Sequence, residues 1–214
     1  MKVTVVKEWN DWNSTGAILE AGNDRCSFEL PGISLQAKDM VVRQVEFDLR
    51  SGMSLSDSIE AQRLGERFGN LPRARNVGND LILIDASDRA GVSDAVDLVK
   101  SASFLAKSSR RLLVISGPLE LDDDSDYGSL GAFGALMVRL RVAYFFCVGK
   151  SARPMYLSVG MEGSWDGESR FSEDAREAYD DLRERIEPGD VIIVIGGEQQ
   201  LLSSLAGRLE EELF

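Results

Sequence analysis

The chain of 214 residues carries 24 Lys and Arg against 36 Asp and Glu, with no histidine, for a formal net charge of −12. A chain without histidine has no Ser-His-Asp or Cys-His nucleophile pair and no His-bearing zinc site, and an acidic balance argues against nucleic-acid or anionic-membrane partners. At 43% hydrophobic and 28% charged residues the composition is that of a folded globular chain, long enough for one large domain or two small ones.

With charges at Lys2, Lys7 and Glu8 and no apolar core segment among the first residues, no signal peptide is expected there. The longest purely aliphatic run, Val191 to Ile195, falls far short of the ~20 residues of a membrane helix, so a cytoplasmic protein is expected. Cys26 and Cys147 are read as structural thiols.

Short β-rich runs open the chain: Val3, Val5 and Trp9, then Ala17 to Ala21, Cys26 to Leu30, and an alternating Val41 to Leu49. Turn residues at Asn13 to Gly16, Gly22 to Asp24 and Pro31-Gly32 separate them, which predicts a small antiparallel sheet. Leu55, Ile59, Leu64 and Phe68 recur at near-helical spacing until Gly69-Asn70 and Pro72, predicting one helix. Leu71 to Asp80, rich in Arg, Asn, Gly and Pro, reads as a linker.

Apolar strands then alternate with amphipathic helices. Leu81 to Ile84 is a strand, followed by a helix bearing Val92, Ala95, Val96, Val99 and Ala102 with Ser93 as its N-cap. Leu112 to Ile115 and Ala143 to Val148 are further strands, separated by a helix through Leu130, Phe133, Met137 and Leu140. A helix with Ala175, Ala178, Tyr179, Leu182 and Ile186, a strand at Asp190 to Ile195, and a helix with Leu201, Leu202, Leu205 and Leu209 complete the chain. The pattern predicts an α/β fold with a Rossmann-like, mainly parallel sheet, preceded by the small antiparallel sheet and a helix. Domains are expected at residues 1–78 and 79–214.

Three local motifs fail their spacing tests. Gly149-Lys150-Ser151 ends like a P-loop, but the position that needs the first glycine is Tyr144, inside an apolar strand. The acidic run from Asp122 to Asp126 lacks the glycine and bidentate carboxylate of an EF-hand, with Tyr127 and Phe133 in those places, and reads as a solvated loop. Gly128, Gly131 and Gly134 enter a helix, where close helix packing accounts for them. Trp9, Trp12 and Trp165 are read as core residues rather than interface anchors.

The string Arg110-Arg111-Leu112-Leu113-Val114-Ile115-Ser116-Gly117-Pro118-Leu119-Glu120-Leu121 resembles a signature of the Mur ligases, and looks most like the members that add D-alanyl-D-alanine. Leu83-Ile84-Asp85-Ala86-Ser87-Asp88-Arg89-Ala90 and Pro188-Gly189-Asp190-Val191-Ile192-Ile193-Val194-Ile195-Gly196 are similar to two further family strings, in the same order. The resemblance implies the C-terminal part of a ligase that makes peptidoglycan precursors by ATP-dependent amide formation through an acyl phosphate. The UDP-binding domain and the P-loop are missing from it.

Resemblance also shows what has changed. The family's nucleotide-contacting His and Asn fall near Ser54 and Ser58, and its Lys-Gly-Ser-Arg becomes Ile195-Gly196-Gly197-Glu198, which removes cations that would neutralise phosphate. Asp85 falls where the family's acid reaches the ATP ribose, with Ser87 beside it, while Arg73 or Arg75 stands for a linker arginine. With Glu120 these residues form the expected remnant nucleotide or substrate site. No catalytic residue and no metal ligand are assigned, and ATP and Mg²⁺ are expected only with a partner that supplies a P-loop. Two roles stay open. One is a truncated Mur-ligase-like protein that binds a small molecule or another protein, without ligase activity alone. The other is the C-terminal subunit of a split ligase, whose partner is a P-loop or UDP-binding Mur-type protein.

Overall fold

The computed structural model describes residues 2–107, 109–121, 127–197 and 199–212, with side chains left aside at 127–129, 199–201 and 212. The acidic run at 122–126, read as a solvated loop, and residue 198 lie outside the described residues. The chain divides into two compact units, 1–74 and 75–214.

In the first unit, β1 (Thr4–Asn10), β2 (Ser14–Ala21) and β3 (Asp24–Pro31) form an antiparallel sheet in that order, with a two-residue turn at Gly22-Asn23 between β2 and β3. β1 is an edge strand with a bulge. Val5 opposes Leu19 and Lys7 opposes Ile18, so Val6 is the extra residue, and both Val5 and Val6 are exposed. One sheet face, with Ala17, Leu19, Ala21, Phe28 and Leu30, packs against Ala37, Val41, Val45 and Leu49 of α1 (Leu35–Arg50). Trp9 lies across Gly16, where a Cβ would stand 2.4 Å from the indole.

The run from Val41 to Leu49, expected as a strand, is therefore the second half of a helix. Ala37, Val41, Val45 and Leu49 are spaced four apart, which fits a two-residue and a 3.6-residue period equally well. Phe47 decides between them. A strand would bury it beside Val45, but it is 64% exposed. Ser34 starts the helix by accepting a hydrogen bond from the Ala37 amide at 2.9 Å. The single helix expected from Leu55 to Phe68 is two, α2 (Leu55–Ala61) and α3 (Leu64–Phe68), because Arg63 between them adopts a left-handed φ of 45°.

The second unit is a six-stranded, mostly parallel sheet in the order β4-β5-β9-β6-β7-β8. Its strands are β4 (Ala74–Asn76), β5 (Ile82–Ala86), β6 (Leu112–Ser116), β7 (Tyr144–Val148), β8 (Glu168–Ser172) and β9 (Val191–Ile195). β4 lies within the segment expected as linker. β5, β6, β7 and β9 run parallel and are almost wholly buried, which is why they are continuously apolar rather than alternating. α7 (Ala175–Arg183) and α8 (Gln199–Glu212) cover one face, packing Ala178, Tyr179, Leu182, Leu205 and Leu209 on Leu83, Leu113, Ile192 and Tyr144. α4 (Val92–Ala106), α5 (Tyr127–Arg139) and α6 (Arg153–Val159) cover the other, where Phe133 meets Phe145 edge to face at 6.1 Å.

The chain steps from β5 past β9 to β6, then to β7 and β8, and returns through α7 to insert β9 between β5 and β6. Forward steps use one helix layer and the return uses the other, as a uniform crossover hand requires. Ser93 is not the N-cap of α4. Gly91 holds that position without a side-chain cap, and the Val92 amide is satisfied by the Glu120 carbonyl at 3.0 Å. β8 and α6 were not foreseen. β8 is an edge strand whose exposed Glu168 and Arg170 hide its alternation. Among the described residues no helix is long and apolar enough to cross a membrane.

In α5 a helix contact requires Gly134: a Cβ there would fall 2.1 Å from the Met155 carbonyl and the Ser158 hydroxyl of α6. The nearest atom to a Cβ on Gly131 would be at 3.9 Å, an ordinary contact. Gly134→Ala separates propensity from packing. Propensity alone would raise stability by up to ~1 kcal/mol, whereas the contact predicts a loss of ~2 kcal/mol or more, read as a lower urea midpoint.

Candidate functional site

Parallel strands place their following loops at one edge, and a ligand crevice is expected there, outside the carboxyl ends. Asp85 is the fourth residue of β5 and is half-buried, and its Oδ1 accepts a hydrogen bond from the Ser87 amide at 3.0 Å. Ser87 itself is buried. Glu120 is brought to the same edge by its backbone: its amide donates to the Ala90 carbonyl at 2.6 Å, and its carbonyl accepts from Val92. Its side chain is exposed.

The same three loops are stitched together. Gly117 donates to the Ile195 carbonyl at 2.8 Å and Gly197 to the Pro118 carbonyl at 2.9 Å. Gly196 has φ of 130°, and a Cβ on it would stand 2.8 Å from the Gly117 backbone. A Cβ on Gly117 would meet Leu202 of α8 at 2.5 Å. Backbone lies against backbone here, and Ile195 is wholly buried between its neighbours.

Arg75 lies against α8, where its Nη1 donates to both carboxylate oxygens of Glu210, at 3.0 and 2.8 Å. Arg73 belongs to the first unit and is exposed. Ser54 caps α2, accepting from the Asp57 amide at 3.2 Å, and Ser58 is fully buried with its hydroxyl donating to Asp48 at 2.7 Å. Both serines are committed to structure. Among the described residues the loops at this edge carry the Asp85 and Glu120 carboxylates, Arg89 paired with Asp94 at 3.4 Å, Lys150 paired with Glu173 at 3.7 Å, and backbone groups bonded to one another.

Arg110 and Arg111, the start of the string that resembled the ligases, work at the opposite end of the sheet. Arg110 donates to the Asp80 carbonyl at 2.8 Å and the Gly189 carbonyl at 3.0 Å, and pairs with the Asp80 carboxylate at 2.9 Å. Arg111 donates to the Arg185 carbonyl at 2.8 Å and lies 2.5 Å from Glu187 and 3.3 Å from Asp190. The pair thus ties together the amino ends of β5, β9 and β6. A cavity of about 810 Å³ opens at this end, beside the starts of β7 and β8, with Arg111, Arg141, Tyr144, Trp165, Asp166 and Glu184 among its walls. No motif in the sequence pointed to it; the one signal is Trp165-Asp166-Gly167, an aromatic residue two before a glycine that leaves room for its ring.

No protein-family model matches the sequence, and no curated protein does. Solved structures do match. MurF from Acinetobacter baumannii superposes with a TM-score of 0.61 at 16% identity, over 98% of this chain and 45% of that one. The UDP-N-acetylmuramate-alanine ligase MurC of Thermotoga maritima gives 0.63 at 16% identity, over 98% and 45%. MurF of Thermotoga maritima, solved in complex with ADP, gives 0.62 at 14% identity, over 99% and 46%. The fold is that of the Mur ligases. The chain spans a little under half the length of these ligases, and at such identity the likeness is one of fold.

Two predictions follow from the two ends of the sheet. At the carboxyl end, Gly196→Ala adds a Cβ at a positive φ and against backbone that has no room to shift, and is expected to cost ~3 kcal/mol or more by chemical denaturation. At the amino end, burial pushes the Asp190 carboxyl above the ordinary aspartate range, opposed by the Glu187 amide and the Arg111 charge. A raised acid in the folded state is harmless while protonated and becomes a penalty as it ionises. The stability of the parent relative to Asp190→Asn is therefore expected to be greatest below the ordinary aspartate range and to fall as pH rises through the raised value, read by denaturation at a series of pH values.

Proposed function

We propose that these 214 residues use a Mur-ligase fold for binding or assembly in peptidoglycan precursor synthesis, and do not carry out ATP-driven ligation by themselves. The observation that supports this reading is the carboxyl edge of the sheet. Gly117 against Gly196, Gly197 on Pro118 and Glu120 on Ala90 leave the loops bonded to each other, where a ligase would turn cations and amides toward phosphate. Asp85 and Ser87 keep their places in this edge as a turn that accepts its own amide, and a small molecule bound there would meet carboxylates first. A cytoplasmic setting agrees with two free cysteines, one of them buried.

A second reading rests on the coverage. Because the chain spans about 45% of the ligases it matches, a separate P-loop polypeptide would complete a split ligase. The purified chain, given ATP and Mg²⁺, is expected to release no phosphate above the blank. Strong Mg²⁺-dependent turnover by the chain alone overturns the first reading, and ligase activity gained on mixing with a co-purifying P-loop protein establishes the second.

A further inference from the structure

β8 reads Glu168-Ser169-Arg170-Phe171-Ser172, and its backbone has one side paired and one side bare. It runs parallel to β7 without irregularity, with Tyr144 beside Glu168 and Val148 beside Ser172. The Glu168 amide donates to the Ala143 carbonyl at 3.1 Å, and the Ser172 carbonyl accepts from the Gly149 amide at 2.9 Å. Alternation along the strand then assigns every backbone group. Glu168, Arg170 and Ser172 turn theirs to β7, while Ser169 and Phe171 turn theirs to the outer side, where among the described residues no strand pairs with them. A bare row of this kind is a template for another strand. The sheet's other border is less open, because β4 is only three residues long.

Side chains alternate as well, and neighbours fix both faces of β8. Arg170 lies 3.2 Å from Asp181 of α7, and Glu168 meets Arg185 just beyond that helix, so these two point to the α7 face. Phe171 points to the other face, its ring 6.0 Å from that of Tyr156 on α6. Glu168 and Arg170 stay half-exposed in spite of these contacts, two residues apart and opposite in charge.

A second β8, run antiparallel on a two-fold axis, can meet this edge in few registers. Outward residues must face outward residues if both are to exchange N–H···O bonds, which leaves axes at positions 168 to 171. Residues directly opposite each other share a face, and like charges there are destabilising. An axis at Glu168 sets glutamate against glutamate, and one at Arg170 sets arginine against arginine. An axis at Phe171 faces Arg170 with Ser172 and leaves Glu168 beyond the end of the other strand. Only an axis at Ser169 sets Glu168 opposite Arg170, and it does so twice.

We propose that β8 pairs antiparallel with β8 of a second copy of this chain about a two-fold axis at Ser169, joining two sheets into one. The backbone of Ser169 and Phe171 supplies the ladder, and the two Glu168–Arg170 crossings choose its register. Such a contact is isologous and closes at two chains, since it uses up the same edge on both.

Sedimentation of the full chain from about 5 to about 500 μM is the test, and a mass near twice 23.5 kDa is expected at the upper end. Arg170→Glu and Glu168→Arg each set like charges at both crossings, and each alone is expected to dimerise about tenfold or more weakly than the parent. Mixed one to one, the two variants restore opposite charges at both crossings and are expected to form a heterodimer about as tight as the parent dimer. Ser169→Pro removes an outward N–H and no bond to β7, so it is expected to keep the circular dichroism of the parent and to stay monomeric. A parent chain that is monomeric over the whole range overturns the proposal, whether or not it takes up an extended peptide. So does a folded Ser169→Pro chain that dimerises as the parent does, or a mixture of folded charge variants no tighter than either alone. If a charge variant fails to fold, Ser169→Pro decides the matter.

Discussion

The architecture of the second unit depends on seating β9 between β5 and β6. That strand arrives last, and both its neighbours are already in place along the chain, so the gap it fills must be held at the right width at each end. Arg110 and Arg111 hold the amino end through carbonyls and carboxylates at Asp80, Gly189 and Asp190, and the paired glycines hold the carboxyl end through direct backbone contact. Directional charge contacts can span a variable gap; a glycine pair cannot. The two ends of the same strand are therefore held in chemically different ways, one adjustable and one rigid.

This division bears on function. In an open parallel sheet the carboxyl edge is where ligand chemistry is usually placed, because loops there are free to vary. Here that edge is the rigid one. The open, charged and aromatic concavity lies at the amino end, where side chains from the starts of β7 and β8 and the end of α5 converge. Fold and site are separable properties, so a fold shared with ligases does not by itself say where a ligand binds.

Much of the fold was legible because burial on both faces leaves little freedom: β5, β6, β7 and β9 are continuous aliphatic or aromatic runs, and no other element type suits runs of that length between amphipathic helices. The misreadings lie where two periods coincide or where an element is only half-buried. Spacings of four at Ala37 to Leu49 satisfied strand and helix alike, and the single residue that distinguishes them, Phe47, is exposed against its type. β8 escaped notice because an edge strand puts Glu168 and Arg170 where an inner strand would put valines. At the candidate site, the resemblance located Asp85, Ser87 and Glu120 along the chain, and the loop contacts that bring Glu120 beside Ala90 are long-range and leave no trace in local sequence. Arg75 was legible as a charge, but its partner Glu210 lies 135 residues away, beyond any pattern argument.

The bulge at Val6 has a consequence for how the molecule behaves in a crowd. An edge strand with two exposed valines is a template on which a foreign strand can add, layer upon layer, toward a fibril. The extra residue breaks the regular spacing of outward amides and twists the strand away from flatness, and Lys2 and Lys7 set like charges along any would-be neighbour built from the same sequence. One misaligned residue at this border leaves the packed face behind it, with Ala17, Leu19 and Phe28, in register.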